Sequence, residues 1–307
     1  MPATANGQNV YAQNNDFWDK YIAGRPKIPQ SFFDQIFDYH AKHNGSFDRA
    51  HEVGAGVGVH SDRLAARFEH VLISDVIEEN ITIARARLRN TENYEFVCSS
   101  LEDTASLPEE SMDLVFASTM MHFTQVDEAI KAVHYQLKPG GTFAAGLYGT
   151  FALHNPLAQE VWAKIVLRTC EMIADQYGLD NRTKFILQNE ASGLDSVGLP
   201  TEWFGNVQRF EWNFPQQDTM RKMILPPEFG LEPFYRASEQ DIVIKDQWDS
   251  GWNEKHNIDG LKRIASTGPH DENDSRIATL WDALKDVIGD GQVEGAWMVC
   301  LLLATKK

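Results

Sequence analysis

Three glycines at alternate positions, Gly54, Gly56 and Gly58, follow a short strand-like run, Arg49-Ala50-His51-Glu52-Val53, and precede a helix-like segment over residues 60–68. Glycine tolerates positive φ and has no Cβ, so a ligand can lie directly against such a turn. The free amides at the start of the next helix then face it. The dinucleotide fingerprint Gly-x-Gly-x-x-Gly competes with this reading, but its third glycine packs helix against strand beside a pyrophosphate. Here that position holds Val59, and the third glycine comes one residue early. The loop suits a ligand without a pyrophosphate and disfavours an NAD-dependent oxidoreductase. Many βα turns are glycine-rich, so the downstream chain has to decide.

Val71-Leu72-Ile73-Ser74-Asp75 is an apolar run ending in a carboxylate, the pattern of a buried parallel strand with its functional end at the C-terminus. An acid 17 residues past Gly58 is placed to accept both hydroxyls of a ribose. Asp also commonly caps a helix, here the one expected over 77–88. The two roles are compatible, and the upstream glycines favour the first. Further strands are predicted at Tyr94–Cys98, Met112–Ser118 and 142–148, with a helix over about 125–137. Lys138-Pro139-Gly140-Gly141 should break the chain sharply. Strands alternating with helices of this length imply right-handed crossovers and a parallel sheet.

Taken together, these pieces resemble a class I S-adenosylmethionine-dependent methyltransferase. The matching residues are Glu52-x-Gly54-x-Gly56-x-Gly58, Asp75, Ser100-Leu101-Glu102, Ser111-Met112-Asp113-Leu114-Val115 and Leu137-Lys138-Pro139-Gly140-Gly141, spanning about 49–148. Tyr21-x-x-x-Arg25-Pro26-x-Ile28-Pro29 and the strand from Trp297 to Lys307 further resemble the trans-aconitate methyltransferase-like (methyltransferase type 11) branch common in fungi. Ile28 departs from that branch, which usually has Tyr or Phe there. The resemblance implies an α/β fold, a Rossmann-like doubly wound seven-stranded sheet whose final strand runs antiparallel between its neighbours, with S-adenosyl-L-methionine as cofactor. Backbone at Gly54, Ala55, Gly56 and Gly58 would pass beneath the cofactor's amino-acid part, with Glu52 near its ammonium group. Asp75 would take the ribose hydroxyls, Val76 and Ile77 the adenine face, and Leu101 and Glu102 the adenine edge. Ser118 and Thr119 would face the methionine moiety, and Tyr21 and Arg25 would close over the cofactor. His51 is read as a polar neighbour rather than a catalyst.

The last two strands fit 206–214, which alternates apolar and polar residues, and the apolar 295–304. This divides the chain into a flexible arm (1–15), N-terminal helices and cofactor-binding core (16–148), a helical insertion (149–205), strand six (206–214), a second insertion (215–294) and strand seven (295–307). Insertions of that length must carry their own helices, and Pro156–Tyr177 and 274–288 have helical spacing. With the helix around 31–43 they are read as a lid over the substrate. Their aromatics (Trp162, Trp203, Phe204, Trp212, Phe229, Phe234, Trp248, Trp252) favour a lined pocket.

A formal charge of −16 argues against nucleic acid, whose backbone needs basic patches. No run approaches a membrane-spanning length, and the polar N-terminus lacks a signal-peptide core. Cys98, Cys170 and Cys300 lie far apart inside apolar segments, so reduced, buried thiols and a cytoplasmic protein are expected. No spacing resembles a zinc site. A small-molecule acceptor, a carboxylate or a natural-product intermediate methylated on oxygen by in-line displacement, is the leading reading. A carboxylate needs no base, whereas a phenol or alcohol needs one, and His122 and His154 stand at suitable strand ends. Two alternatives remain: an enzyme using the bound sulfonium for cyclisation or rearrangement, and a non-catalytic methyltransferase-like subunit. Monomer and homodimer are both compatible with the sequence.

Overall fold

The computed structural model describes residues 15–43, 45–88, 91–105, 107–216, 218–268 and 274–307. The arm expected over 1–15 lies, up to residue 14, outside them. All seven expected strands form. They are β1 (Arg49–Val53), β2 (His70–Asp75), β3 (Tyr94–Cys98), β4 (Met112–Ser118), β5 (Leu137–Leu153), β6 (Phe204–Trp212) and the last strand. The second insertion adds two short ones, β7 (Ile242–Gln247) and β8 (Asn253–His256), so the last strand is β9 (Val293–Lys306). The sheet order is β3-β2-β1-β4-β5-β9-β6-β7, with β8 paired to β9. Strands β1 to β5 pair in parallel, and β9 runs antiparallel between β5 and β6, as the resemblance implied.

Helices α1 (Asn15–Ala23), α2 (Gln30–Lys42), α3 (Ser61–Ala65), α4 (Glu78–Arg87) and α5 (Val126–Gln136) belong to the N-terminal half. The first insertion forms α6 (Pro156–Tyr177) and α7 (Asn181–Ala191), and the second α8 (Thr219–Ile224), α9 (Ile258–Ala265) and α10 (Ser275–Ile288). Their starts follow local chemistry. Asn155 accepts from the amides of Leu157 and Ala158 while Pro156 occupies the first turn, and Asp180 and Asp274 cap α7 and α10 in the same way. Strands β4 and β9 are buried along nearly their whole length, which explains the apolar runs Leu114–Ala117 and Ala296–Ala304 within them.

Two expectations need correction. Lys138-Pro139-Gly140-Gly141 does not break the chain. It lies within β5, where Gly140 takes φ +81° and the pairing with β4 shifts register between Met112 and Leu114. A bulge absorbs the extra residues and the strand continues. Cys98 is exposed, unlike Cys170 and Cys300, because β3 is the outermost strand of the sheet.

The first insertion is pinned to the sheet by one buried cation. Arg209 on β6 donates from Nε to Asp241 Oδ2 (2.7 Å) and from its two terminal nitrogens to the carbonyls of Leu194 and Val197 (2.7 Å each). These carbonyls lie just after α7, so the clamp sets where that helix ends.

Candidate functional site

The glycine loop leaves β1 with Gly54 at φ 59° and Gly56 at φ 55°, backbone that L side chains rarely adopt. Space is equally restrictive. A Cβ on Gly56 would lie 3.1 Å from the Trp18 ring of α1, and one on Gly54 3.0 Å from the Met120 side chain. Gly58 points elsewhere, toward Leu88 and Ser61, and serves helix packing.

Asp75 closes the loop from the end of β2. Its Oδ2 accepts from the Gly56 amide (2.9 Å), and its Oδ1 from the Ile77 amide (2.9 Å) and Asn80 Nδ2 (3.2 Å). Asn80 in turn accepts from Trp18 Nε1 at 3.0 Å, so α1 is tied through Asn80 to the acid. Burial raises the Asp75 carboxyl, against these three donors. Glu52, at the end of β1, is buried; its Oε2 accepts from Ser61 Oγ, while Oε1 finds no partner at hydrogen-bonding geometry among the described residues. Burial pushes its carboxyl up to about 7.

One cavity of about 1440 Å³ opens at the carboxyl ends of these strands, where open α/β sheets bind ligands. Tyr21, Arg25, Glu52, Gly54, Ala55, Gly56, Asp75, Val76, Leu101, Glu102, Ser118, Thr119 and His122 all line it. Gly58 and Ile77 do not; Ile77 is buried beside Asp75. His154 also lies outside. Strand β5 runs on to Leu153 and carries this residue to the surface, where it packs on Trp248 with ring centroids 5.2 Å apart. The opposite wall comes from the insertions: Trp162, Val166, Cys170, Ile173 and Tyr177 on one face of α6, and Arg182, Thr183, Ile186, Leu187 and Glu190 on α7. Of the aromatics expected to line the pocket, Trp162 does. Others pack elsewhere, Trp252 against Phe32 and Tyr148 and Trp203 on His134.

Several residues at this site carried no recognisable sequence signal. Tyr148 hydrogen-bonds His60 Nε2 (2.6 Å) and Ser118 Oγ (3.0 Å), joining the start of α3 and the end of β4 to the body of β5. Thr119 sits at φ 51°, a strained position for a β-branched residue of the kind that clusters at ligand sites. Asn80 and Trp18 could be placed only through a tertiary contact.

Four buried histidines are lowered by burial, His40 on α2 among them. Burial lowers His51 and His60 to about 4 and His122 to about 3, with Arg25 adding to the effect at His122. His51 Nδ1 faces Gln136 Oε1 (2.6 Å) and Nε2 faces Ser74 Oγ (2.8 Å), so the ring bridges β1 to β2 and α5. An unfolded histidine titrates near 6.5, so below that pH the unfolded chain binds more protons and stability falls as pH drops toward 4. Glu52, raised, works the other way: its contribution is complete below the ordinary carboxylate value and is lost as pH rises through 7. Asp75 and Glu190, raised by burial as well, join Glu52 in offsetting the histidines, so the clean readout is one histidine: His60, held at about 4, accounts for a loss on the order of 2 kcal/mol between pH 7 and pH 5. Urea unfolding at the two pH values should show a smaller pH dependence in His60→Gln than in the wild-type protein. An equal dependence in both would contradict a neutral His60.

The fold and the loop at the strand ends define the Rossmann-like methyltransferase architecture. A solved Anaeromyxobacter dehalogenans protein assigned to the type II methyltransferases shares this fold, with TM-score 0.57 at 20% identity over 91% of this chain and 97% of that one. Sequence goes further. Residues 51–145 match the methyltransferase domain family. A Claviceps purpurea methyltransferase is 32% identical over 315 residues, covering 100% of this chain and 97% of its own. The methyltransferase gedG of Aspergillus terreus is 32% identical over 323 residues, covering 99% and 96%. The chain belongs to the class I S-adenosylmethionine-dependent methyltransferases, alongside these fungal relatives. No helix among the described residues is long and apolar enough to cross a membrane.

The residues present fit this family's cofactor. A buried Glu52 oxygen without a donor suits an ammonium group, and Asp75 has accepting capacity beyond its three protein donors. The Gly54–Gly56 backbone lines the same cavity as both.

Proposed function

We propose that the protein transfers a methyl group from S-adenosyl-L-methionine to an oxygen of a small-molecule acceptor, a carboxylate or a natural-product intermediate. One observation carries this reading: a single cavity has the glycine loop, Glu52 and Asp75 at one end and an apolar wall of α6 and α7 at the other. Ligand pockets commonly span ~300–1,000 Å³, and about 1440 Å³ leaves room for cofactor and acceptor together. When bound, S-adenosylmethionine supplies an electrophilic methyl on a sulfonium.

The chain's own residues bind and orient. Glu52 takes the ammonium, Asp75 the ribose hydroxyls, Val76, Leu101 and Glu102 the adenine region, and Ser118 and Thr119 the methionine end. Trp18, Tyr21 and Arg25 close the loop side, while α6 and α7 form the lid that excludes water from the acceptor. His122, held neutral at neutral pH, is a hydrogen-bonding wall of the cavity; His154, outside it, has no part in the chemistry.

The test is incubation with methyl-labelled cofactor and a panel of carboxylated and hydroxylated small molecules. Label should move into an extractable product heavier by one methylene. Label appearing in nucleic acid or protein instead, or an isomerised product without label, would overturn the reading.

A further inference from the structure

We propose that Glu190 is the proton acceptor of the acceptor subsite, which takes a hydroxylated aromatic compound in preference to a carboxylate. This rests on the methyl-transfer reading above and narrows it.

Glu190 stands in the last turn of α7, on the face that walls the cavity with Thr183, Ile186 and Leu187. Its carboxylate lies against Gly149, where a Cβ would sit 3.5 Å from Oε1. Gly149 directly follows Tyr148, whose hydroxyl touches Ser118 at the end of β4. The carboxylate therefore reaches the strand ends where the methyl must be delivered. The Arg209 clamp just beyond α7 holds the helix in that place.

Glu190 is half-buried and faces the cavity, and no residue among those described donates a hydrogen bond to its carboxylate. A carboxylate that faces a cavity without a protein donor is open to a ligand that brings one. Burial raises the Glu190 pKa and the charge of Arg25 opposes that rise. A weaker acid is a stronger proton acceptor, as base catalysis near neutral pH requires. An ionised carboxyl only accepts hydrogen bonds, so its partner must carry a donor, which for an acceptor methylated on oxygen is its O–H. A carboxylate ligand would set two like charges face to face. Trp162, Ile173 and Tyr177 opposite provide an apolar, aromatic surface for a ring.

The step balances without a further reactant. The acceptor's O–H proton passes to the Glu190 carboxylate, the oxygen lone pair forms the new bond to the methyl carbon, and the carbon–sulfur pair leaves on sulfur.

Calorimetry at pH 8 on protein loaded with S-adenosylhomocysteine tests this with 2-naphthol and 2-naphthoate. The wild-type protein should hold 2-naphthol about tenfold tighter than 2-naphthoate, the worth of one charge-assisted hydrogen bond. Glu190→Gln should lose that preference and gain naphthoate binding, since its amide donates and carries no charge. S-adenosylhomocysteine affinity should be unchanged in this variant. Wild-type protein that binds naphthoate as tightly as naphthol, or binds neither, overturns the proposal without touching the methyl-transfer reading; so does an unaltered preference in Glu190→Gln. Failure of wild-type protein to bind S-adenosylhomocysteine would sink both.

Discussion

Replacing Asp75 with alanine is expected to weaken S-adenosylhomocysteine binding by about 10²–10⁴-fold, measured by calorimetry on folded protein. The size follows from two ribose hydroxyls donating to one ionised carboxyl, each such bond contributing roughly 1.5–3 kcal/mol. Part of the loss is indirect. The same carboxyl receives the amides of Gly56 and Ile77 and the side chain of Asn80, which carries Trp18. Alanine frees these donors and loosens both the glycine loop and the helix above it, at about 1–3 kcal/mol of stability. Asp75→Asn keeps the shape and one acceptor oxygen, so its affinity should fall between wild type and alanine. Unchanged affinity in Asp75→Ala would refute the ribose assignment and leave the acid a purely structural role.

The largest effect on stability is expected at Arg209. Arg209→Leu should cost about 3–5 kcal/mol in urea unfolding, because it leaves the Asp241 carboxylate buried without its cation. The carbonyls of Leu194 and Val197 lose their donors in the same substitution. Arg209→Lys should rescue little, since a single ammonium cannot span three acceptors arranged for a planar fork. Replacing both partners, Arg209→Met with Asp241→Leu, should recover most of the loss, because the buried charge goes with its partner. A single substitution costing under about 1 kcal/mol would mean that water reaches the pair and that the insertion is held by other contacts.

The glycine loop and acid at one end of the cavity were legible because they are local in sequence. A strand, three glycines and an acid at the end of the next strand form one βαβ unit, and each residue can be placed by counting. Strands β4 and β9 were legible for a related reason: both are buried on two faces, and Leu114–Ala117 and Ala296–Ala304 within them read as apolar runs. The wall facing them was not. Glu190 is one acid on a helix inside an insertion, and only the folded chain shows that α7 turns it toward Gly149. His154 misled because its position depended on where β5 ended, and the strand outran the expected boundary. Pro139-Gly140-Gly141 misled for a neighbouring reason, since the same dipeptides that signal a turn also permit a bulge when a partner strand holds both sides. Aromatic content pointed to a lined pocket, yet Trp252 fills the core and Trp203 packs against its edge on His134, a choice that composition cannot distinguish.

The most direct test is a crystal structure of the protein grown with S-adenosylhomocysteine. Its ribose hydroxyls should rest on Asp75, its ammonium group on the free oxygen of Glu52, and its sulfur near Ser118 and Thr119, facing the wall that carries Glu190. Density for the ligand anywhere else, or none at a concentration that saturates relatives of this fold, would contradict the site.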